Sequence, residues 1–203
     1  MSSVITGIIQ PQAFELIRDR ICQILVVEFE NQFQLTGNYD LQNISSSIYM
    51  ERMAPFDYTE LPALNVGIER GDYEQYHQGQ SDGVYRYFIE CCAISQTDNS
   101  KRGDEKAKVL VHKIMGITRA ILENPLYKTL GFSPGMIKHR HIESFVFAEP
   151  TRMDSENVNQ SRLALVVKAI ETSITYKDVQ TIEEWSSRVK LSDTEKGYVW
   201  EPF

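Results

Sequence analysis

Two of the chain's four histidines lie in one short segment, Met136–Glu143, which reads MIKHRHIE. His139, His141 and Glu143 stand two residues apart, and on a β-strand residues at this spacing point to the same face. Imidazole and carboxylate groups that converge on one face are typical ligands of zinc or manganese. The spacing therefore raises the hypothesis of a metal-dependent enzyme, such as a nuclease, that uses these three residues.

The same segment carries Lys138 and Arg140, whose charges would suit either phosphates or an acidic protein surface. The composition argues against a general nucleic-acid binder, because the formal net charge is -7 and the sequence pI is about 5.2. An acidic protein can still surround DNA without gripping it, since repulsion lets the DNA slide. If copies of the chain assemble into a ring, we expect the cationic strand end, Lys138, His139, Arg140 and His141, to meet an acidic neighbouring subunit rather than a metal.

Motifs for other chemistry are missing from the sequence: it contains no GxxxxGK[ST], GxGxxG, GxSxG or HExxH. The segment Gly131–Gly135, GFSPG, places glycines around a serine, but a proline and a strand follow where a nucleophile elbow needs a helix. Glu69, Asp72 and Glu74 match no calcium-loop spacing and are interpreted as a solvated acidic loop. We expect no catalytic residue, no cofactor and no metal site.

The three cysteines, Cys22, Cys91 and Cys92, are odd in number and form no CxxC pair. This pattern favours buried thiols in a reducing compartment over a disulfide framework or a zinc site. The segment MSSVITGIIQPQ lacks the features of a signal peptide, and no apolar run approaches the roughly 20 residues of a membrane span. We expect a soluble protein made in a cytoplasm, with no membrane partner.

Two helices are predicted from apolar residues at helical spacing. The first opens at Pro11, because proline is tolerated where the first amide has no helical partner, and it ends near Glu30–Gln34. The second follows residue 104 and stops at Asn124-Pro125, because proline disfavours helix at the preceding residue. The segment Thr36–Glu60 reads as a loop-rich insertion with a short strand at Ser47–Arg52.

Four longer strands are predicted at Leu61–Arg70, Val84–Ile94, Ile137–Ala148 and Arg162–Ile174, the last of them central in the sheet. Between the first two, the polar segment 71–83 is interpreted as a long hairpin loop that ends in an Asp82-Gly83 turn. Strict alternation along the third strand divides its side chains between two faces: Lys138, Arg140, Ile142 and Val146 on one, and His139, His141, Glu143, Phe145 and Phe147 on the other.

These elements predict an α+β fold, in which a mainly antiparallel sheet of about four to five strands carries two helices on one face. Residues 1–175 form a single domain, and residues 176–203 form a C-terminal arm with a short helix at Thr181–Glu184. The arm ends in GYVWEPF. Exposed large aromatics are limited on soluble monomers, so Tyr198, Trp200 and Phe203 are expected to pack on this domain or on a neighbouring subunit.

The order of these segments resembles a known family. The chain carries the strand LPALNVGIER, the tyrosine-bearing strand VYRYFIECCAI, a helix that ends in ILENPLYKTLGF, and then a strand followed by RLALVVKAIE. Over roughly Ile48–Thr172 this looks like the tail terminator (tail completion) proteins of tailed bacteriophages. Thr129–Phe132 stands at the family's "tLgG"-like loop, and Phe147–Pro150 at its strand end. The Thr36–Glu60 insertion and the arm after Tyr176 depart from the shorter members.

The resemblance implies a structural virion protein rather than an enzyme. Such proteins form a homohexameric ring that caps the head-proximal end of the tail tube, stops tube polymerisation and joins the tail to the head connector or neck proteins. DNA passes through the lumen without sequence-specific binding, and a contractile tail would add the sheath as a partner. The expected location is the virion tail or neck, after assembly in the bacterial cytoplasm. Two other readings are a head-closure or head-tail joining protein, and a host-side adaptor that binds its partner through the aromatic arm.

Overall fold

The structure is a computed structural model, and it describes residues 11–77, 80–95, 103–148, 158–172, 187–189 and 198–200. Three helices and seven strands lie in these ranges, with single 3-10 turns at Tyr58–Glu60 and Pro125–Tyr127. In chain order the elements are α1 Ala13–Thr36, α2 Tyr39–Ser46, β1 Ile48–Met50, β2 Ala63–His77, β3 Gln80–Ile94, α3 Gly103–Glu123, β4 Ile137–Phe147, β5 Val158–Thr172, β6 Ser187–Val189 and β7 Tyr198–Trp200.

Five of the strands form one sheet in the order β1-β2-β3-β5-β4. β1 pairs with β2 in parallel, and the other three pairings are antiparallel. β5 is internal, as its continuously apolar centre predicts. The α+β class and the mainly antiparallel sheet of about five strands are confirmed.

The two predicted helices cover one face of the sheet. α1 packs across β1 and β2, and α3 packs across β3 and β5, while α2 lies against α1. α1 begins two residues after Pro11, because the backbone N–H of Gln12 donates to the carboxylate of Glu15 at 2.9 Å and so caps the first turn. It ends at Gly37, whose positive φ of 64° is a conformation that glycine adopts without strain.

The core lies between these helices and the alternate residues of β3 and β5. β3 contributes the fully buried side chains of Tyr85, Tyr87 and Ile89, and β5 contributes those of Leu163 and Leu165. The hydroxyl of Tyr87 donates a hydrogen bond to the backbone carbonyl of Phe14 in α1 at 2.9 Å, so this buried polar group has a partner. Every second side chain of β3 from Tyr85 to Ile89 thus faces this core.

The predicted hairpin loop at 71–83 is wrong. β2 and β3 continue to His77 and Gln80, and Asp82 and Gly83 lie within β3, opposite Ile170 and Ala169 of β5. A polar sequence stays in strand form here because β3 is hydrogen-bonded on both sides. Gly83 does not form a turn but makes room for the ring of Tyr85. A Cβ at Gly83 would stand 2.0 Å from the Tyr85 hydroxyl, so only glycine fits here.

The insertion at Thr36–Glu60 is more regular than predicted. The short strand is confirmed as β1, but the helix α2 was missed. Its signals are local: the side chain of Asn38 accepts a hydrogen bond from the backbone N–H of Asp40 at 3.0 Å, and Leu41 and Ile44, three residues apart, are buried.

The C-terminal segment forms a second, two-stranded sheet in which β6 pairs with β7 in antiparallel register. The predicted helix at Thr181–Glu184 and the terminal Phe203 lie outside the described residues. The division into a domain at 1–175 and an arm at 176–203 stays a prediction. Among the described residues, no helix has both the length and the apolarity to cross a membrane.

Candidate functional site

The cationic segment singled out in the sequence lies on β4, the outermost strand of the main sheet. One side of β4 pairs with β5, and no strand in the described part of the chain pairs with the other side. An edge strand presents unpaired backbone N–H and C=O groups that can pair with another chain. β4 runs for 11 residues, which is long for such an edge.

Two β-bulges change which residues of β4 share a face. The register of β4 against β5 shifts between Ile137 and His139 and again between Ile142 and Ser144. Each bulge inserts one extra residue and so resets the alternation. The predicted strict alternation is therefore wrong: the residues opposite buried positions of β5, on the helix-covered face, are Arg140, Ile142, Phe145 and Phe147, and those on the open face include His139, His141 and Val146.

Lys138, at the first bulge, is paired within its own chain. Its Nζ lies 2.7 and 2.6 Å from the two carboxylate oxygens of Asp82, which is 1% exposed. The Nζ of Lys168 lies 3.6 Å from the same carboxylate. The two ammonium groups compensate a buried negative charge that would otherwise be costly. Lys138 was predicted to contact a partner, and the structure gives it this internal contact.

Arg140 is the next predicted contact residue, and it turns toward the end of α3. Its Nη2 donates to the backbone carbonyl of Asn124 at 2.8 Å. Desolvation lowers the pKa of the guanidinium, while the charge of Glu123 acts in the opposite direction. Arg140 therefore ties β4 to the turn that follows α3, and part of its side chain is already buried there.

His139 and His141 remain exposed on the open face. Their ring centroids are 5.0 Å apart, and the rings are inclined by 30°. Glu143, the third member of the predicted metal set, has its carboxylate oxygen 2.7 Å from the Nε of Arg86. This contact is an ion pair without hydrogen-bond alignment, because the Nε finds no hydrogen-bond partner among the described residues. Within the described ranges, no group of three His, Cys, Asp or Glu side chains is placed to hold a metal ion.

The open face of the sheet carries a ladder of alternating charges. Glu69 on β2 lies 3.1 Å from Arg86 and 3.1 Å from Arg162, and Glu74 lies 2.7 Å from Lys168. The predicted acidic loop is thus part of a strand whose carboxylates face cations. These ion pairs are partly exposed, and pairs of this kind contribute little stability each.

The second half of β4 is apolar and accessible, a feature the sequence analysis did not identify. Phe145, Val146 and Phe147 are 41%, 57% and 37% exposed. The Phe145 and Phe147 rings meet edge to face at 4.6 Å, and the Phe147 ring lies 4.0 Å from that of His112 on α3. Three consecutive exposed apolar residues on a sheet edge form the type of patch that mediates protein contacts. The hydrophobic signal was present in the sequence, but its exposure depends on the edge position of the strand.

The opposite edge of the sheet is only partly covered. β1 pairs with β2 at Leu64–Val66, and no described strand pairs with the outer side of β2 beyond that point. Residues 69–74 of β2 are all exposed. They hold three carboxylates and one arginine, a net formal charge of -2. Among the described residues, the main sheet therefore has two edges without a pairing strand, one with a cationic segment at 138–141 and one with a formally acidic segment at 69–74.

The remaining sequence hypotheses concern groups away from these edges. All three cysteines are free and buried, as expected, and burial raises the pKa of Cys22 to about 12 and that of Cys92 to about 11. The segment Gly131–Gly135 forms a loop between the second 3-10 turn and β4. Tyr198 and Trp200 lie in β7.

Comparisons with known proteins identify no relative of this chain. No protein-family model matches the chain, and no curated protein matches it significantly in sequence.

Proposed function

We propose that the chain is a tail terminator protein of a tailed bacteriophage. In this proposal six copies form a ring on the head-proximal end of the tail tube, end its polymerisation and join it to the head connector or neck proteins. DNA passes through the ring without sequence-specific binding. The ring performs no chemistry, so its function depends on surfaces rather than on a catalytic constellation.

The observation that supports the proposal most is the arrangement of the segments that carry the resemblance. The LPA strand, the tyrosine strand, the helix with its TLGF loop and the two last strands fall on β2, β3, α3, β4 and β5, in that order. They form one layer of sheet with helices on a single face. This is the small α+β domain that the resemblance implies, although a fold by itself does not define a function.

Two accessible sheet edges also support an assembly role. A subunit of a closed ring needs two different contact surfaces, because each interface is heterologous and joins one edge to the other. The cationic and apolar edge at β4 and the acidic edge at β2 supply such a pair.

Electron microscopy of purified virions tests the proposal directly. Antibody labelling should place the chain in the neck, between the tail tube and the head, and averaging should resolve a six-fold ring there. Location elsewhere in the virion, or absence from virions, would overturn the proposal. Absence would favour the host-side adaptor, whose partner binding should then be lost on deletion of residues 197–203.

A head-closure or head-tail joining protein is the structural alternative, and binding separates it from the terminator. Purified chain should bind the ends of isolated tail tubes and block their further growth. Binding to isolated head connectors in the absence of tubes would instead assign the chain to the head side of the neck.

The metal hypothesis is tested by elemental analysis of the purified protein. We expect no stoichiometric zinc or manganese, because the Glu143 carboxylate is paired with Arg86. The double variant His139→Ala/His141→Ala should then have the same metal content as the wild type. Stoichiometric metal that the double variant loses would support the enzyme instead.

A further inference from the structure

We infer that copies of this chain join head to tail through the two sheet edges, with β4 of one copy antiparallel to the β2 edge of the next. The closed six-fold ring rests on the proposed function, whereas the choice of edges and their alignment comes from the sheet itself. The inferred ligand of the β4 edge is thus a second copy of the same chain.

The direction of the strands permits this continuation. β2 and β3 are antiparallel, β3 and β5 are antiparallel, and β5 and β4 are antiparallel. β4 therefore runs opposite to β2. A neighbour in the same orientation would add its β2 edge antiparallel to β4, which continues the prevailing pattern of the sheet.

The pairing register aligns the charged halves of the two edges. His139 pairs with Lys168, Lys168 with Val84, and Val84 with Asp72, so His139 and Asp72 lie in one row across the sheet. All four are on the open face. A neighbour at the same height would bring its Asp72 beside His139 and close to the charge of Lys138. The segment 138–141 has a formal charge of +2, and residues 69–74 have a net formal charge of -2. Within one chain Lys138 already contacts Asp82, and Asp72 lies 2.8 Å from Arg70, so the neighbour's Asp72 would join an existing row of paired charges.

The next row on the helix-covered face also fits. Arg140 pairs with Val167, Val167 with Tyr85, and Tyr85 with Gly71. Gly71 has no side chain, so a neighbour's β2 would leave space for the long guanidinium side chain of Arg140.

The apolar halves of the edges align in the same register. Phe145 lies in the row of Leu163, Ile89 and Val66, and Val66 pairs with Met50 of β1. At this height the opposite edge is β1, where Met50 is 54% exposed, with Met53 of the loop beyond it 94% exposed. A neighbour placed in this register therefore brings the acidic segment of its β2 edge to the cationic segment of β4. The same register brings its exposed Met50 to the apolar segment of β4.

Pairing of like edges fits less well. Two β2 edges side by side would set two acidic segments against each other, which is unfavourable. Two β4 edges would leave the acidic β2 edge without a partner. The head-to-tail arrangement uses both edges of every copy, as a ring requires.

A charge exchange across the inferred interface provides the test, using the full-length chain. His139→Glu should place a carboxylate against Asp72 of the neighbour, and Asp72→Lys should place an ammonium group against Lys138 and His139. Each variant alone should raise the dissociation constant for self-association at least ~10-fold, measured by sedimentation velocity over a concentration series. A mixture in equal amounts should recover association to within about threefold of the wild type, because alternating copies form one carboxylate–ammonium contact and one native contact.

Matched controls lie away from both edges. Gln42→Glu on α2 and Glu105→Lys on α3 alter exposed side chains by the same charge increments and should leave the dissociation constant unchanged. Circular dichroism and thermal unfolding establish that every variant is folded. Recovery in the mixture is a second safeguard, because misfolded copies would not restore each other.

Three outcomes would overturn the inference. They are a wild-type chain that stays monomeric at its highest soluble concentration, an unaffected Asp72→Lys variant, or a mixture that does not recover association. None of these results bears on the location of the chain in virions, so a failure of this interface is distinguishable from a failure of the terminator proposal. A ring in the neck with unaffected variants would mean that the copies meet through other surfaces.

Discussion

Asp82 shows how a single residue ties three strands of this sheet together. Its carboxylate is buried on the open face of β3, where Lys138 of β4 and Lys168 of β5 both approach it. A buried carboxylate needs such partners, because desolvation disfavours its charge. The strength of the arrangement rests more on the closer ammonium, that of Lys138, than on Lys168.

We expect Lys138→Met to destabilise the fold, because methionine keeps the aliphatic stem but removes the ammonium. Lys138 is partly solvated and Lys168 remains nearby, so the loss should be about 1–3 kcal/mol rather than the full cost of an orphaned charge. Urea unfolding of both proteins at neutral pH measures it. Lys113→Met, at an exposed position on α3, is the matched control and should change the free energy of unfolding by less than about 0.5 kcal/mol.

The buried thiol of Cys92 makes a specific pH dependence testable. Desolvation raises its pKa to about 11, whereas an unfolded thiol titrates near pH ~8.5. The unfolded chain therefore loses this proton first as pH rises, and the contribution to stability that is present below pH ~8.5 declines up to about pH 11. Between about pH 8 and pH 10 the stability advantage of the wild type over Cys92→Ala should shrink by about 1–2 kcal/mol. A constant difference in urea unfolding at the two pH values would contradict this.

At the scale of elements, the β2–β3 hairpin depends on close packing of aromatic rings over glycines. A Cβ at Gly83 would stand 2.0 Å from the hydroxyl of Tyr85, and one at Gly67 would stand 2.2 Å from the ring of Phe88. Both distances are shorter than any real contact, so either the ring or the strand would have to move. The Tyr85 hydroxyl also donates to the carboxylate of Glu171, which anchors the ring in place.

We expect Gly83→Ala to lower the free energy of unfolding by about 1–3 kcal/mol, because the fully buried Tyr85 ring would have to shift away from the added Cβ. Gly116→Ala should do the opposite. Gly116 is exposed in α3, and an added Cβ would meet no described atom within 4 Å, so alanine should stabilise by about 0.5–1 kcal/mol through helix propensity. Urea unfolding of both variants measures the two signs, and a stabilised Gly83→Ala would refute the packing argument.

Sequence periodicity predicted the elements of this fold well where one face is buried. The helix after residue 104 and the strand Val84–Ile94 were both predicted, and they lie in α3 and β3. The polar residues at 71–83 led to the wrong prediction of a loop. They lie in strands instead, because β3 is paired on both sides and strand pairing overrides the polar sequence. α2 was missed because only Leu41 and Ile44 mark its buried side.

The position of the candidate site could be predicted from the sequence, but the arrangement of its side chains could not. The sequence located the cationic strand end at Lys138–His141, yet a bulge requires no residue type that a sequence pattern would reveal. The two bulges in β4 therefore changed its faces without a local signal. The partners of Lys138 and Glu143 lie on β3, far away in the chain, and only the folded sheet brings them together.

At the scale of the whole molecule, the predicted division between the domain and the arm at residue 175 can be tested by truncation. Among the described residues, the buried cluster extends from Ala13 in α1 to Ala169 in β5. If the arm lies outside this core, as the predicted division implies, a chain truncated after residue 175 should fold with a melting temperature within about 3 °C of the full-length protein, since a loss of about 1 kcal/mol shifts the melting temperature of a chain this size by roughly 2–4 °C. Scanning calorimetry measures both.

The truncated chain also distinguishes an aromatic arm that packs on a neighbour from one that packs on its own domain. If the arm packs on a neighbouring subunit or on the tail tube, the truncated chain should keep its melting temperature and lose assembly or tube binding. If the arm packs on its own domain, the melting temperature should fall by more than about 5 °C, because burial of large aromatic side chains contributes several kcal/mol. The proposed ring favours the first result, because it places neighbouring subunits and the tail tube beside each copy. Calorimetry and sedimentation of the same two proteins decide between these outcomes.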